Sequence, residues 1–401
     1  MIAIECTQKL KRYSIIKIIM SDQTIIFWWP DSIFYDVHWT KDPGSIPLEL
    51  ERMGYKVILV VGEFNSSLRY KELDIVNTFN KARSASVSSN IASRMLRRII
   101  GVTVMLRLTH KYCPNAIIIE HDEAETLFFA LLLKAKFPFI TKAHPRLILK
   151  LDVDPESAKV SNKRFIFILV RHFFSFIFDK IICESECAYD ELTKPKLILK
   201  YKSKYMIIPN GFWDTQEDRI TERSIRYNRI LSVGRISFQK GHDILIHVFS
   251  KLRDRFPDWK LIIVGLSDDR LYRESLEKEI ADLKLGDSVN LLTDLNDEQI
   301  IMEYKKATIF CLLSRWEGFG IARSEAIHYG LPLVITEAGC GIMFKKFGSR
   351  VCRIDDQDCI INALETLILN ENLRQEISDK QKATILTWHD VAVEFSRLIP
   401  T

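Results

Sequence analysis

The chain has no apolar run long and uncharged enough to span a bilayer. The nearest, Phe165–Phe178, is too short and is interrupted by Arg171 and His172. A secretory signal is not expected either: residues 1–19 hold Lys9, Lys11, Arg12 and Lys17 but no apolar core of the signal-peptide kind. The first convincing strand begins only at Thr24, so residues 1–19 read as an extension and Met20 is an expected alternative start. None of the eight cysteines (Cys6, Cys113, Cys183, Cys187, Cys311, Cys340, Cys352 and Cys359) forms a C-x-x-C pair. That weighs strongly against a zinc site. Several lie in strand-like apolar runs, and they read as reduced, mostly buried thiols of an intracellular protein. The net charge is only +5, too mild for a nucleic-acid binder of this length. The expected location is cytoplasmic, either free or peripheral on the inner face of the cell membrane.

What is present is the composition of a globular chain: 47% hydrophobic and 27% charged residues rule out disorder. A chain of 401 residues is too long for one small core, and two domains of roughly 200 residues are expected. The chain is organised around Ile309–Thr336. Ile309–Leu313 is an apolar run of strand length, Leu331–Ile335 is another, and the segment between them has a helical period closed by Tyr329-Gly330. This is a βαβ unit with its turn at the carboxyl edge of a parallel strand, where open α/β sheets bind ligands. Gly318 and Gly320 let a ligand approach the backbone, and the helix after them aims free N–H groups at the same place, which suits a phosphate. Glu317 lies in the turn, and Glu325 stands in the helix, where it reaches a different part of the ligand.

Glu317, Gly318-Phe319-Gly320, Glu325 and Gly330-Leu331-Pro332 together resemble the nucleotide-sugar site of the retaining GT-B glycosyltransferases, family 4 (glycosyl transferases group 1). Arg323 departs from the pattern, since that family usually has a small or apolar residue there. A second motif, Gly234-Arg235-Ile236-Ser237-Phe238-Gln239-Lys240-Gly241, follows the strand-like Arg229–Val233 and resembles the Gly-Arg and Lys-Gly pairs of the same family. The chemistry is direct. Breaking the bond to the donor sugar leaves a diphosphate with growing negative charge; Arg235 can fork two phosphate oxygens and Lys240 adds a point charge, so no bound metal is required. By the resemblance, Glu317 lies by the donor sugar and Glu325 accepts hydrogen bonds from the ribose. Rival readings exist. Gly318-x-Gly320 with Glu337 mimics a dinucleotide fingerprint, but the third glycine position is Arg323. The plainer reading is a structural turn with two surface glutamates, against which the second motif argues.

The resemblance implies an α/β GT-B fold, two Rossmann-like parallel-sheet domains facing each other across a cleft. The expected bounds are an acceptor domain over residues 20–208, a nucleotide-sugar domain over 209–387, and a terminal helix within 388–401 crossing back to the first. The first half matches the family least: only Gly44 stands for the usual glycine-rich loop after the strand Thr24–Trp29, and Pro30–Gly44 reads as a long loop. Strands are expected at Tyr55–Val61, Ala116–Glu120, Phe139–Lys142, Leu147–Leu151 and Lys180–Cys183, with residues 214–228 a linker. His121 and Asp152 sit at strand ends and are candidate sugar or acceptor contacts. Lys150-Leu151-Asp152 falls where relatives carry a His-Asp or similar pair. Asp152-Val153-Asp154 also suggests the divalent-cation site of the other large glycosyltransferase fold, GT-A. On Ile91–Leu106, Ile91, Met95, Ile99, Val102 and Leu106 share a face flanked by arginines; Lys163–Lys180 and the lysine run Lys194–Lys204 pose the same question. Each reads as an ordinary packed or solvated face, or as a contact with anionic lipid. The expected activity is transfer of a sugar from a nucleotide diphosphate sugar to a glycan or lipid-linked acceptor with retention of configuration; a catalytically silent relative and a GT-A-like transferase are the alternatives.

Overall fold

The structure is a computed structural model. It describes residues 23–67, 70, 73–78, 91–135, 144–212, 226–267, 269–382 and 385–400. The extension 1–19, the strand expected at Phe139–Lys142 and most of the linker 214–228 lie outside the described residues. The chain divides into two compact units. One holds Met1–Val153, Ser157–Trp213 and Leu386–Thr401; the other holds Asp154–Glu156 and Asp214–Ile385.

The first unit is a parallel sheet of β1 (Thr24–Phe34), β2 (Lys56–Phe64), β3 (Asp74–Asn77), β4 (Ala116–Glu120), β5 (Arg146–Leu151), β6 (Lys180–Cys183) and β7 (Tyr205–Ile207), in the order β3-β2-β1-β4-β5-β6-β7. β4 is buried at every position, because helices cover both faces of a parallel sheet. One helical layer is α1 (Asp42–Arg52) with the terminal helix Trp388–Ser396, packed against each other and sharing a core with Ile25, Leu59 and Ile118. The other layer runs through α2 (Ile91–Tyr112), α3 (Ala124–Lys134) and α4 (Phe165–Ile177), whose Met105, Phe129 and Phe174 meet Ile26, Ile117 and Leu149.

Three expectations change here. β1 does not end at Trp29: it continues through Pro30 to Phe34, with a register shift between Trp29 and Ile33. Proline is tolerated because pairing with β4 stops at Trp28. The long loop therefore shrinks to a short 3-10 turn, and the helix after it starts at Asp42, with Pro43 in its first turn. Met95 and Ile99, expected to pack with Val102, are exposed; only the later part of α2 is covered. Finally, the cysteines are not all free thiols: Cys352 and Cys359 form a disulfide, their Cα atoms 5.9 Å apart. The short connection from a strand to the next helix brings them together.

The second unit contains β8 (Arg229–Val233), β9 (Lys260–Val264), β10 (Val289–Leu292), β11 (Ile309–Leu312), β12 (Leu333–Thr336) and β13 (Arg350–Cys352), all parallel, in the order β10-β9-β8-β11-β12-β13. This is the doubly wound order of nucleotide-binding sheets. Two apolar cores cover its faces, one around Phe249 and Leu364, the other around Phe310 and Ile327.

Candidate active site

In the second unit β8 and β11 are neighbours at the point where the winding reverses. Loops leaving such a pair part to opposite faces and open a crevice at the carboxyl edge. Both motifs stand in those loops. Gly241 has φ 66°, and a Cβ there would lie 2.0 Å from the carbonyl oxygen of Leu313. Without a side chain, the segment after β8 leans on the end of β11. Lys240 and Glu317, 77 positions apart, thereby meet: the Nζ–Oε2 distance is 2.6 Å. The Ser314 hydroxyl donates to the same oxygen at 3.0 Å. Burial alone would raise the Glu317 carboxyl; the charges of Lys240 and Arg323 and the two hydrogen bonds outweigh it and hold the group below the usual carboxylate range. Glu317 is therefore an anion at neutral pH, already oriented by a cation.

Arg235 is exposed beside this pair, and its Nη2 donates to Gln239 Oε1 at 3.0 Å. Its hydrogen-bond partner is neutral, so its charge is available to an anionic ligand. The backbone between the two motifs is tied by residues that sequence reading missed. Arg315 forks the Asp243 carboxylate at 2.9 and 2.6 Å, donates to the carbonyl of Phe238 at 2.6 Å, and lies 3.6 Å over the Phe238 ring. Gln239 donates to the carbonyl of Trp316 at 3.0 Å. The signal was present in Arg315 preceding the Glu motif, but its partner is distant in sequence.

The helix Ile321–His328 starts directly after Gly320, so its first N–H groups face the same edge. Phe319 is buried against Phe344 and anchors the turn from below. Glu325 is half-buried and accepts a 2.8 Å hydrogen bond from Tyr304. It thus lies on another side of the helix start from Glu317. Gly339 (φ 62°) presses a third loop, the one after β12, onto the carbonyl of Glu317, where a Cβ would be 2.0 Å away.

The first unit carries the other two predicted residues. His121 follows β4 with φ 70°, and its N–H donates to the carbonyl of Lys150 at 3.0 Å. Asp152 is exposed just beyond β5. Between them Lys150 turns inward. It is wholly buried, bonded to Asp42 and, at 2.8 Å, to Glu184, with Glu120 at 3.9 Å. Asn210 donates to Glu184 at 2.9 Å. Burial, opposed by Lys150, pushes Glu184 up to about 8, and Glu120 is also raised well above its ordinary value. This buried network was not foreseen, because its five members come from five separate segments of the chain. Asp152 falls in the first unit and Asp154 in the second, and the chain folds as two parallel-sheet units of GT-B type, which overturns the GT-A alternative. Among the described residues no cluster of three or more His, Cys, Asp or Glu side chains could hold a metal ion.

Residues 214–384 match the model of the glycosyl transferases group 1 family. An uncharacterized glycosyltransferase of Haemophilus influenzae is 33% identical over 156 residues, covering 38% of this chain and 43% of that protein. The chain thus spans less than half the length of that relative. The N-acetylgalactosamine-N,N'-diacetylbacillosaminyl-diphospho-undecaprenol 4-alpha-N-acetylgalactosaminyltransferase of Campylobacter jejuni is 24% identical over 300 residues, 64% of this chain and 79% of that one. Among solved structures, sucrose-phosphate synthase from Thermosynechococcus elongatus superposes with a TM-score of 0.69 at 14% identity, over 94% of this chain and 98% of that chain. The fold is GT-B: two parallel-sheet α/β domains.

Proposed function

We propose that this chain, whose second unit carries a glycosyl transferases group 1 domain, transfers a sugar from a nucleotide diphosphate sugar to a glycan or lipid-linked glycan, with retention of configuration. The observation that carries the reading is the buried Lys240–Glu317 pair at the strand reversal, with Arg235 exposed beside it. As the anomeric C–O bond breaks, negative charge collects on the leaving diphosphate. Arg235, Lys240 and the N–H groups opening the helix at Ile321 meet that charge without reorganising. Glu317 faces the donor sugar and Glu325 the ribose; no metal is required. His121 and Asp152, at strand ends of the first unit, are the residues proposed to contact the acceptor.

The test is thermal shift with UDP, GDP, ADP and their sugars, with and without EDTA. One nucleotide should raise the melting temperature, unchanged by EDTA, and its sugar should then be turned over with an alpha product from an alpha donor. A shift without turnover on any acceptor would favour the catalytically silent relative. A shift abolished by EDTA would remove the metal-free mechanism.

A lipid-linked acceptor on the inner face of the cell membrane is supported by the outer surface of α2, α3 and α4. Here Met95, Ile99, Phe128, Leu131, Phe165, Phe173 and Phe176 are exposed, Phe165 at 70% and Phe176 at 67%. On α4, Phe165, Phe173 and Phe176 fall on one stripe. Residues 157–178 contain no acid; Arg171 is tied inward to Ser161 and Asn162, and the exposed Lys159, Lys163 and Arg164 fit an anionic lipid surface. Lys204 is not part of it: its ammonium caps the end of α4 on the carbonyls of Ser175, Phe176 and Phe178 at 2.9, 3.0 and 2.8 Å. No described helix is long and apolar enough to cross a membrane. The protein should float with vesicles containing phosphatidylglycerol and not with pure phosphatidylcholine. Joint replacement of Phe165, Phe173 and Phe176 by serine should abolish flotation; unchanged flotation would remove the surface from the proposal.

A further inference from the structure

One side chain at the second unit's site contradicts ordinary packing. Arg323 lies in the first turn of the helix Ile321–His328 and is fully buried. Among the described residues no carboxylate reaches it at ion-pair distance. Its Nη1 and Nη2 both donate to the carbonyl of Ala338 at 3.3 Å, and its Nε has no partner. Burying a cation without a paired anion is destabilising, and an unbranched apolar residue would fill the same space.

Its surroundings give the reason for a charge here. A Cβ on Gly320 would lie 3.3 Å from Nε, and one on Gly341 would lie 3.6 Å from Nη1. The guanidinium is thus wedged between the Glu317–Gly320 turn and the Ala338–Gly341 turn. At the same edge Lys240 is answered by Glu317 and Arg315 by Asp243. Arg235 and Arg323 remain as cations with no carboxylate at ion-pair distance among the described residues. They match the charge of a diphosphate.

The geometry points to Arg323 as a positioning residue for the donor diphosphate: it pins the Ala338–Gly341 turn and adds a buried positive charge to the field at the anion bound above. That charge is felt by Glu317 but is not locked in an ion pair with it. The inference rests on the nucleotide-sugar reading and adds a residue at which this chain departs from the motif. A merely structural arginine would stabilise the free protein; one retained for an anion should destabilise it.

Arg323→Met keeps length and removes charge. The free variant should melt at the wild-type temperature or higher. Its affinity for the nucleoside diphosphate that shifts the wild type should fall about tenfold or more, the scale for one charge several ångströms away in a partly buried site. The monophosphate should lose less, and the uncharged nucleoside nothing. Arg323→Lys should restore part of that gradient. An equal loss for all three ligands, no loss at all, or a lower melting temperature with the gradient intact would overturn the inference. A wild type that responds to no nucleotide would overturn the donor-site reading and this inference together. A wild type that responds, with Arg323→Met responding equally, would sink the inference alone.

Discussion

At the residue scale, the two motif cations have different standing. Lys240 is mostly buried and neutralises Glu317, so its removal would leave a buried anion and destabilise the fold by about 3–5 kcal/mol. Loss of activity in such a variant would say little about chemistry. Arg235 is exposed and bonded only to Gln239. Arg235→Ala should leave stability within about 0.5 kcal/mol of wild type, as for an ordinary surface change. Turnover should fall by about two to three orders of magnitude, the usual loss when a positioned group stabilising transition-state charge is removed. Turnover of the identified donor, measured beside a melting curve, checks both halves. Near-normal turnover would refute the role given to Arg235.

At the scale of elements, what could be read from the chain was what local pattern determines. β4, β6 and β8 occupy the residues expected of them, because parallel strands covered on both faces are continuous apolar runs between turn signals. The Glu motif and the Lys-Gly motif were readable too, since each is a strand end, a glycine and a helix start in one short stretch. What was not readable depends on pairing between distant segments. β3 is short and half-exposed, with no period of its own. Pro30 looked like a strand end and is not, because the partner strand has already stopped there. Lys150 stood in the Lys150-Leu151-Asp152 stretch, where relatives carry a His-Asp or similar pair, and is the centre of a buried network whose carboxylates come from Asp42, Glu120 and Glu184. Arg323 was visible as a departure from the motif, but its burial and missing counter-ion needed the loop after β12.

At the scale of the whole molecule, the two units should respond to pH in opposite directions. The first holds Glu184, raised to about 8, and Glu120, raised well above its ordinary value, both by burial first. A carboxyl raised on folding contributes stability that is complete below its unfolded value of 4.5 and is lost as pH climbs through the folded one. The second unit holds His242, fully buried just after the Lys-Gly motif, with its Nε2–H on the carbonyl of Arg235 at 3.2 Å. Burial pulls it down to about 4 from 6.5. A histidine lowered on folding contributes stability that is present above 6.5 and is lost as pH falls through 4. Glu317 and Asp243, both held low, act in the same direction at the acid end. In the first unit His38, half-buried and also lowered, opposes the carboxyls but is less buried than they are. Each buried group contributes a slope of about 1 kcal/mol per pH unit within its window. Hydrogen exchange, corrected for intrinsic rate, should therefore show protection in β4–β6 rising from pH 7.5 to pH 5, while protection in β8 and the following helix His242–Leu252 falls. Replacing His242 by Gln should flatten the second response and leave the first. If both units gain or lose protection together, burial is not what sets these groups, and the assignment of Glu184 and His242 as opposed stability groups fails.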